Sequence, residues 1–145
     1  MKLQIASLLA VYAVLELARD PDRQLSAAEI GAKFGMSTHH LAKVLHTLGR
    51  AGMVRSVRGA GGGYQFTGNV KRMTLLDVIS LFEPIGEHES GQQDRSADTD
   101  AGRALTRIFN EIDDNTLATL NSVTISTMLK IMQKSAAVPN TGMHP

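Results

Sequence analysis

The amino-acid sequence predicts a mainly α fold carrying one small β-hairpin, on three observations. Apolar residues recur at helical spacing along most of the chain. Ser and Thr residues stand where helices would begin, two of them followed three residues later by an acid, the pattern of a capping box. One stretch, MVRSVRGAGGGYQF at residues 53–66, breaks the helical pattern with two short alternating runs around a glycine-rich turn. A helix, tight turn and helix stand directly before that hairpin, and a longer helical pattern follows it. This is the order of a winged helix-turn-helix unit with a long helix appended.

The elements follow in order. Residues 3–19 place Leu8, Leu9, Tyr12, Leu15 and Leu17 on a broad apolar surface, so this helix is expected to be buried over much of its circumference. DPDRQL breaks it. Ser26 and Glu29 form a capping box for a short helix through Lys33, which Gly35 stops. Ser37 caps the next helix, in which Leu41, Val44, Leu45 and Leu48 follow the i, i+3, i+4, i+7 rule, and Gly52 ends it. MVRSV and GYQFT are the two strands. Thr74 and Asp77 make a second capping box, opening a helix through Phe82 that ends at Pro84. Residues 85–100 hold almost nothing apolar and read as an exposed loop. From 101 to 121 helical spacing returns through Leu105, Ile108, Phe109, Ile112, Thr116 and Leu120. Thr124 caps a last helix, ISTMLKIMQKS, and the tail 135–145 reads as disordered.

Composition narrows the function. The 145 residues suffice for one compact domain with an appended arm. No run of eighteen apolar residues occurs, so no membrane span is expected. The apolar N-terminus carries Glu16 and Arg19 and reads as a folded helix, not a signal peptide. Without Cys there is neither disulfide nor cysteine chemistry, and cytoplasm is the default compartment. The net charge of +1 hides an asymmetry. Residues 1–72 carry ten Lys and Arg against four Asp and Glu, a net +6, and the remainder five against ten, a net −5. Only the basic part is suited to a polyanion.

Double-stranded DNA is the polyanion the motifs fit. With its apolar stripe turned to the core, the helix opened by Ser37 directs Thr38, His39, His40 and Lys43 outward near its N-terminus, the end that a recognition helix sets into the major groove. Arg58 at the hairpin tip suits the adjoining narrow minor groove. Arg55, with the N–H groups of Gly61 and Gly62, would hold the phosphate backbone. Competing readings are weaker. Adjacent histidines on a helix are commonly surface residues, and as metal ligands they diverge without an HxxxH partner. The glycines lack a GxxxxGK[ST] motif and open no helix, which argues against a nucleotide. No nucleophile elbow or HExxH appears, and Glu87, His88 and Glu89 are neighbours that nothing assembles, so an enzyme is not expected. A winged-helix module that binds protein instead of DNA remains the alternative.

MSTHHLAKVLHTLGRAGMVRSVRGAGGGYQFT followed by TLLDVISLFEP resembles the IscR/NsrR-type winged-helix regulators, the Rrf-two family, and the resemblance runs over about residues 2–132. It implies a winged helix-turn-helix DNA-binding domain over 1–84, a sensor-type loop over 85–100 and dimerisation helices over 101–134. It further implies a homodimer on a palindromic operator, acting as a repressor. The family's major-groove contacts fall on Ser37, His39, His40 and Lys43, and its minor-groove arginine on Arg58. Ala42 stands where some relatives carry an acid that filters the operator, so operator preference does not carry over.

Many relatives hold a two-iron or four-iron sulfur cluster through three Cys in this loop and sense iron–sulfur status, redox state or nitric oxide with it. Here Ser90, Ser96 and Ala101 occupy those positions, and hydroxyl and methyl groups cannot hold such a cluster. The loop reads either as that of a naturally cluster-free member or as that of a Cys-substituted variant of a cluster-binding parent; the chain as written carries no cofactor. His88 and Glu87 are the nearby candidates for a fourth ligand. In a loaded relative the cluster would brace the long helix and set the separation of two recognition helices against half-sites about 34 Å apart.

Overall fold

The computed structural model of the protein describes residues 1–59, 62–86 and 95–137. Helix α1, Ile5–Arg19, is the element around which the rest packs. Leu9, Ala10, Ala13, Val14 and Leu17 are buried and face α3, α4, α6 and the hairpin on different sides. Small alanines at 10, 13 and 18 let neighbours approach while the larger residues fill the gaps between them. Helix α2, Ala27–Phe34, opens on the expected capping box: Glu29 N–H donates to Ser26 Oγ at 3.0 Å and Ser26 N–H to Glu29 Oε1 at 3.2 Å. It ends on Gly35 in the left-handed conformation. Helix α3, Thr38–Arg50, starts at Ser37, whose hydroxyl accepts the His40 N–H at 3.3 Å. Leu41, Val44, Leu45 and Leu48 are buried against α1 and α2.

The hairpin consists of β1, Val54–Val57, and β2, Gly63–Phe66, antiparallel with Val54 opposite Phe66 and Arg55 opposite Gln65. Val54 and Phe66 point into the core; the next pair, Arg55 and Gln65, points out, as the pleat requires. A third strand-like contact braces β2. Leu25 and Tyr64 exchange backbone hydrogen bonds at 3.0 and 2.7 Å, tying the wing to the segment before α2.

Helix α4, Leu75–Ile79, has the predicted capping box, with Asp77 N–H on Thr74 Oγ1 at 3.1 Å and Thr74 N–H on Asp77 Oδ2 at 2.9 Å. It ends three residues before Phe82: a turn with Leu81, Phe82 and Glu83 N–H groups bonded back to Val78 and Ile79 replaces the last helical turn. That turn buries the Glu83 carboxylate, whose Oε2 accepts the Gln4 N–H at 2.8 Å and the Ser7 hydroxyl, pinning the start of α1 to the end of α4. The expected loop over 85–100 contains a 3-10 turn, Arg95–Asp98, which the polar composition did not reveal. Helix α5, Asp100–Ser122, follows, capped by Thr99. Helix α6, Ile125–Ala137, takes in Ala136 and Ala137 from the predicted tail; the remaining tail residues lie outside the described ones. Val123, Thr124, Ile125 and Ser126 return the chain to the body, with Leu75 N–H on Val123 C=O at 2.9 Å, Ile125 N–H on Met73 C=O at 2.8 Å and Ser126 N–H on Val70 C=O at 2.8 Å. Among the described residues no helix is long and apolar enough to cross a membrane.

Candidate nucleic-acid interface

Helix α3 and the hairpin carry basic residues and no acid of their own. Between Glu29 and Asp77 the chain holds seven Lys and Arg residues and no carboxylate. The surface of α3 and the wing is therefore basic, whereas on α2 Lys33 is paired with Glu16 at 2.8 Å. Ser37, Thr38, His39 and Lys43 are exposed at the start and on the outer face of α3, and His40 is half-buried beside them. The Ser37 hydroxyl is engaged as the helix cap through its oxygen, which leaves its proton to donate outward.

The outer face of α3 extends further than its first turn. His39, Lys43, His46 and Arg50 are all exposed and, at 100° per residue, lie within about 60° of arc, opposite the leucines of the core. No ion pair engages Lys43, His46 or Arg50 among the described residues. Sequence reasoning stopped at Lys43. The 39, 43, 46, 50 spacing was there to extend it to His46 and Arg50.

On the hairpin, Arg58 is exposed just beyond β1. Arg55 is exposed but held: its Nε and Nη2 donate to Gln65 Oε1 at 3.2 and 2.8 Å, across the strand pair. Gln65 Nε2 in turn donates to the Asp22 carbonyl at 3.0 Å. A carbonyl can only accept, so the amide orientation is set by Asp22, and Gln65 turns its oxygen to the guanidinium. Neither Gln65 nor this chain of bonds was visible as a motif, because it needs the strand register.

Two of the wing glycines are constrained by the packing of the hairpin itself. Gly62 donates its N–H to Gly59 C=O at 2.9 Å, so that group is spent inside the turn, and a Cβ there would stand 2.5 Å from Val57 O. At Gly63 a Cβ would meet Leu25 O at 2.5 Å, where β2 closes on the segment before α2. These two glycines shape the wing. Gly61 lies outside the described residues.

Between α3 and the hairpin runs a cleft of about 460 Å³, with His46, Gly49 and Arg50 on the helical side and Arg55, Ser56 and Tyr64 on the strand side. It continues the exposed stripe of α3 toward the wing.

The three positions expected for cluster ligands do not fit an iron–sulfur cluster. Ser90 lies outside the described residues, as do Glu87 and His88. Ser96 sits in the 3-10 turn, its carbonyl accepting the Thr99 N–H at 3.1 Å and the Thr99 hydroxyl at 2.5 Å, and Ala101 lies in the first turn of α5. The chain has no thiolate, and among the described residues no three His, Cys, Asp or Glu side chains are placed to hold a metal ion.

Comparison with known proteins places this architecture. The family described as Rrf2, iron-dependent transcriptional regulator, matches residues 4–131. A protein of Rhodopseudomonas palustris named as the HTH-type transcriptional regulator BadM is 49% identical over 132 residues, covering 91% of this chain and 83% of the relative. CymR (YrzC), the global cysteine regulator of B. subtilis, superposes with a TM-score of 0.76 at 25% identity, over 90% of this chain and 98% of that one. IscR of T. potens superposes with a TM-score of 0.75 at 22% identity, over 99% and 97%, which is a likeness of fold. The family and the Rhodopseudomonas palustris relative are described as transcriptional regulators, not enzymes.

Proposed function

Because the chain belongs to the Rrf2 family of transcriptional regulators, we propose that it binds double-stranded DNA as a homodimer on a palindromic operator and represses from there. The start of α3 enters the major groove with Ser37, Thr38, His39, His40 and Lys43 toward base edges and phosphates, and Arg58 enters the adjoining minor groove. The observation that carries this reading is the pairing of an exposed α3 face with an arginine-tipped wing, neither element carrying an acid of its own. Repression follows from occupancy, since a protein seated across two consecutive major grooves blocks access to that stretch of duplex.

Support for the dimer comes from α5. Leu105, Ile108 and Ile112 are 55%, 50% and 53% exposed on one helical stripe, and Met1 and Ile5 add apolar surface at 78% and 61%. A stripe of that size left in water is the usual sign of a missing partner surface. A second copy, presenting the same stripe about a twofold axis, covers it and places two α3 helices on one side.

The family's name carries iron dependence, but this chain's own residues supply no ligand set for a cluster, so no step of the proposed function passes through one. A Cys-bearing parent would carry its ligands at positions 90, 96 and 101 and would sense iron–sulfur status, redox state or nitric oxide there. This chain regulates without that group.

The test is a mobility-shift titration of the purified protein against a pool of genomic fragments at several salt concentrations. Specific binding is expected, weakening steeply with salt as phosphates exchange for released counterions. Arg58→Ala should cost about 1–3 kcal/mol of specific affinity. Absence of binding even at low salt would overturn the proposal and favour a protein-binding use of the same fold.

A further inference from the structure

If one helix occupies a major groove and the wing the next minor groove, the sugar–phosphate strand that separates the two grooves has to pass between helix and wing. The place where it must pass is the cleft between α3 and the hairpin. Its rim carries a guanidinium from each side, Arg50 of α3 and Arg55 of β1, with His46 on the helical wall and Ser56 and Tyr64 on the strand wall. We propose that this cleft is a seat for a backbone phosphodiester of the duplex, held by His46, Arg50 and Arg55, with Gln65 as the positioning residue for Arg55. The inference rests on the DNA-binding reading above and adds to it a phosphate site that uses none of the base-reading residues.

The chemistry favours an anion with several acceptor oxygens. Arg50 and His46 are exposed with no acidic partner among the described residues, so no ion pair has to be broken before they bind. Arg55 is different. Two of its N–H donors already point at Gln65 Oε1, which fixes the plane of the guanidinium and leaves Nη1 and the second Nη2 hydrogen unspent. An arginine whose plane is set beforehand loses less side-chain freedom on binding phosphate than a free one. Gln65 keeps that orientation because Asp22 C=O, 43 residues away in sequence, accepts its Nε2. The neutral amide matters as well. A carboxylate at this position would neutralise Arg55 and compete with the phosphate.

The experiment measures dissociation constants by fluorescence anisotropy over a range of KCl concentrations. The probes are a 30-base-pair duplex (about three helical turns) selected by the wild-type protein from a random library, and an unselected duplex of the same length. Arg50→Ala and Arg55→Ala should each lower the slope of log K against log salt by about 0.9 per protomer and weaken binding to both duplexes alike, the mark of a phosphate contact. Gln65→Ala should weaken binding about three- to tenfold while keeping the slope, because the charge stays and only its preorganisation is lost. Gln65→Glu should lower the slope as Arg55→Ala does. Thermal unfolding midpoints track whether the Gln65 variants stay folded; if they do not, the exposed and unpartnered Arg50 and His46 still decide through Arg50→Ala and His46→Gln. Unchanged affinity and slope in those two variants, while Arg58→Ala still weakens the selected duplex, would overturn the phosphate seat and leave the DNA-binding reading standing. A wild-type protein that binds neither duplex would sink both.

Discussion

Gly63 shows how little room a single position leaves. Its backbone lies so close to Leu25 that a Cβ would stand 2.5 Å from the Leu25 oxygen and 2.9 Å from the Ser26 nitrogen. Both of those atoms belong to backbone, which cannot rotate away as a flexible side chain does. Gly63→Ala must therefore push β2 off the segment before α2, breaking the Leu25–Tyr64 hydrogen bonds. The expected loss is about 3 kcal/mol in urea unfolding, near the upper end of overpacking costs. An unchanged midpoint would mean that the two backbones part without penalty. Glu83 is the opposite kind of residue, a buried polar group held by specific partners. Its Oε2 takes a backbone N–H and a hydroxyl from the first turn of α1, and no buried side-chain nitrogen or oxygen among the described residues lacks a partner. Neither fact is legible in a run of letters. Three glycines in a row announce a turn, but which of them is required by contact depends on what lies across from it.

Among the elements, α5 is the one that the single chain leaves half-finished. Its amphipathic pattern was plain in the sequence and its boundaries came out within a residue of expectation, Asp100–Ser122 against 101–121. Most of its length is nevertheless exposed, and among its residues Leu120, near the C-terminal end, is the buried one. The helix is thus anchored at one end and presents Leu105, Ile108 and Ile112 along the rest. Replacing Ile108 and Ile112 with Asp puts two charges into the proposed pair interface without touching the core of the domain. Sedimentation should then report a monomer where the proposal makes the unsubstituted protein a dimer, with the unfolding of the α1–α4 body retained; a dimer that survives the two charges would place the interface elsewhere. Helix α4 taught the reverse lesson. Its capping box was read correctly, yet helical propensity through Phe82 lost to a turn that delivers Glu83 to α1. Local preference gave way to a tertiary bond.

At the scale of the whole molecule, the basic and acidic parts of the sequence do not remain two separate units. The start of α6 bonds back to Val70 and Met73, and Thr74 bridges to Thr124, so the base of α5 is fixed to the domain that carries α3 and the wing. A dimer made through α5 would consequently hold its two α3 helices at a set distance, which is what a palindrome with half-sites about 34 Å apart demands. One measurable consequence concerns salt. If two protomers share the phosphate contacts equally, the monomeric Ile108→Asp, Ile112→Asp protein should bind DNA with about half the salt slope of the parent. An undiminished slope would mean that one protomer makes all the contacts. The sequence by itself determined the order of the main helices, the Ser26, Ser37 and Thr74 caps, the hairpin, the charge division and the lack of cysteine. Those features are set by residues within about four positions of one another or by composition alone. Only the tertiary structure decided that Gln65 holds Arg55, that Gly62 and Gly63 serve the wing's own packing, and that Glu83 pins α1. Each of those depends on which surfaces meet, and for Gln65 and Glu83 the partners stand 43 and 76 residues apart along the chain. Short-range spacing carries no information across such distances, because the contact exists only after the core has brought the segments together.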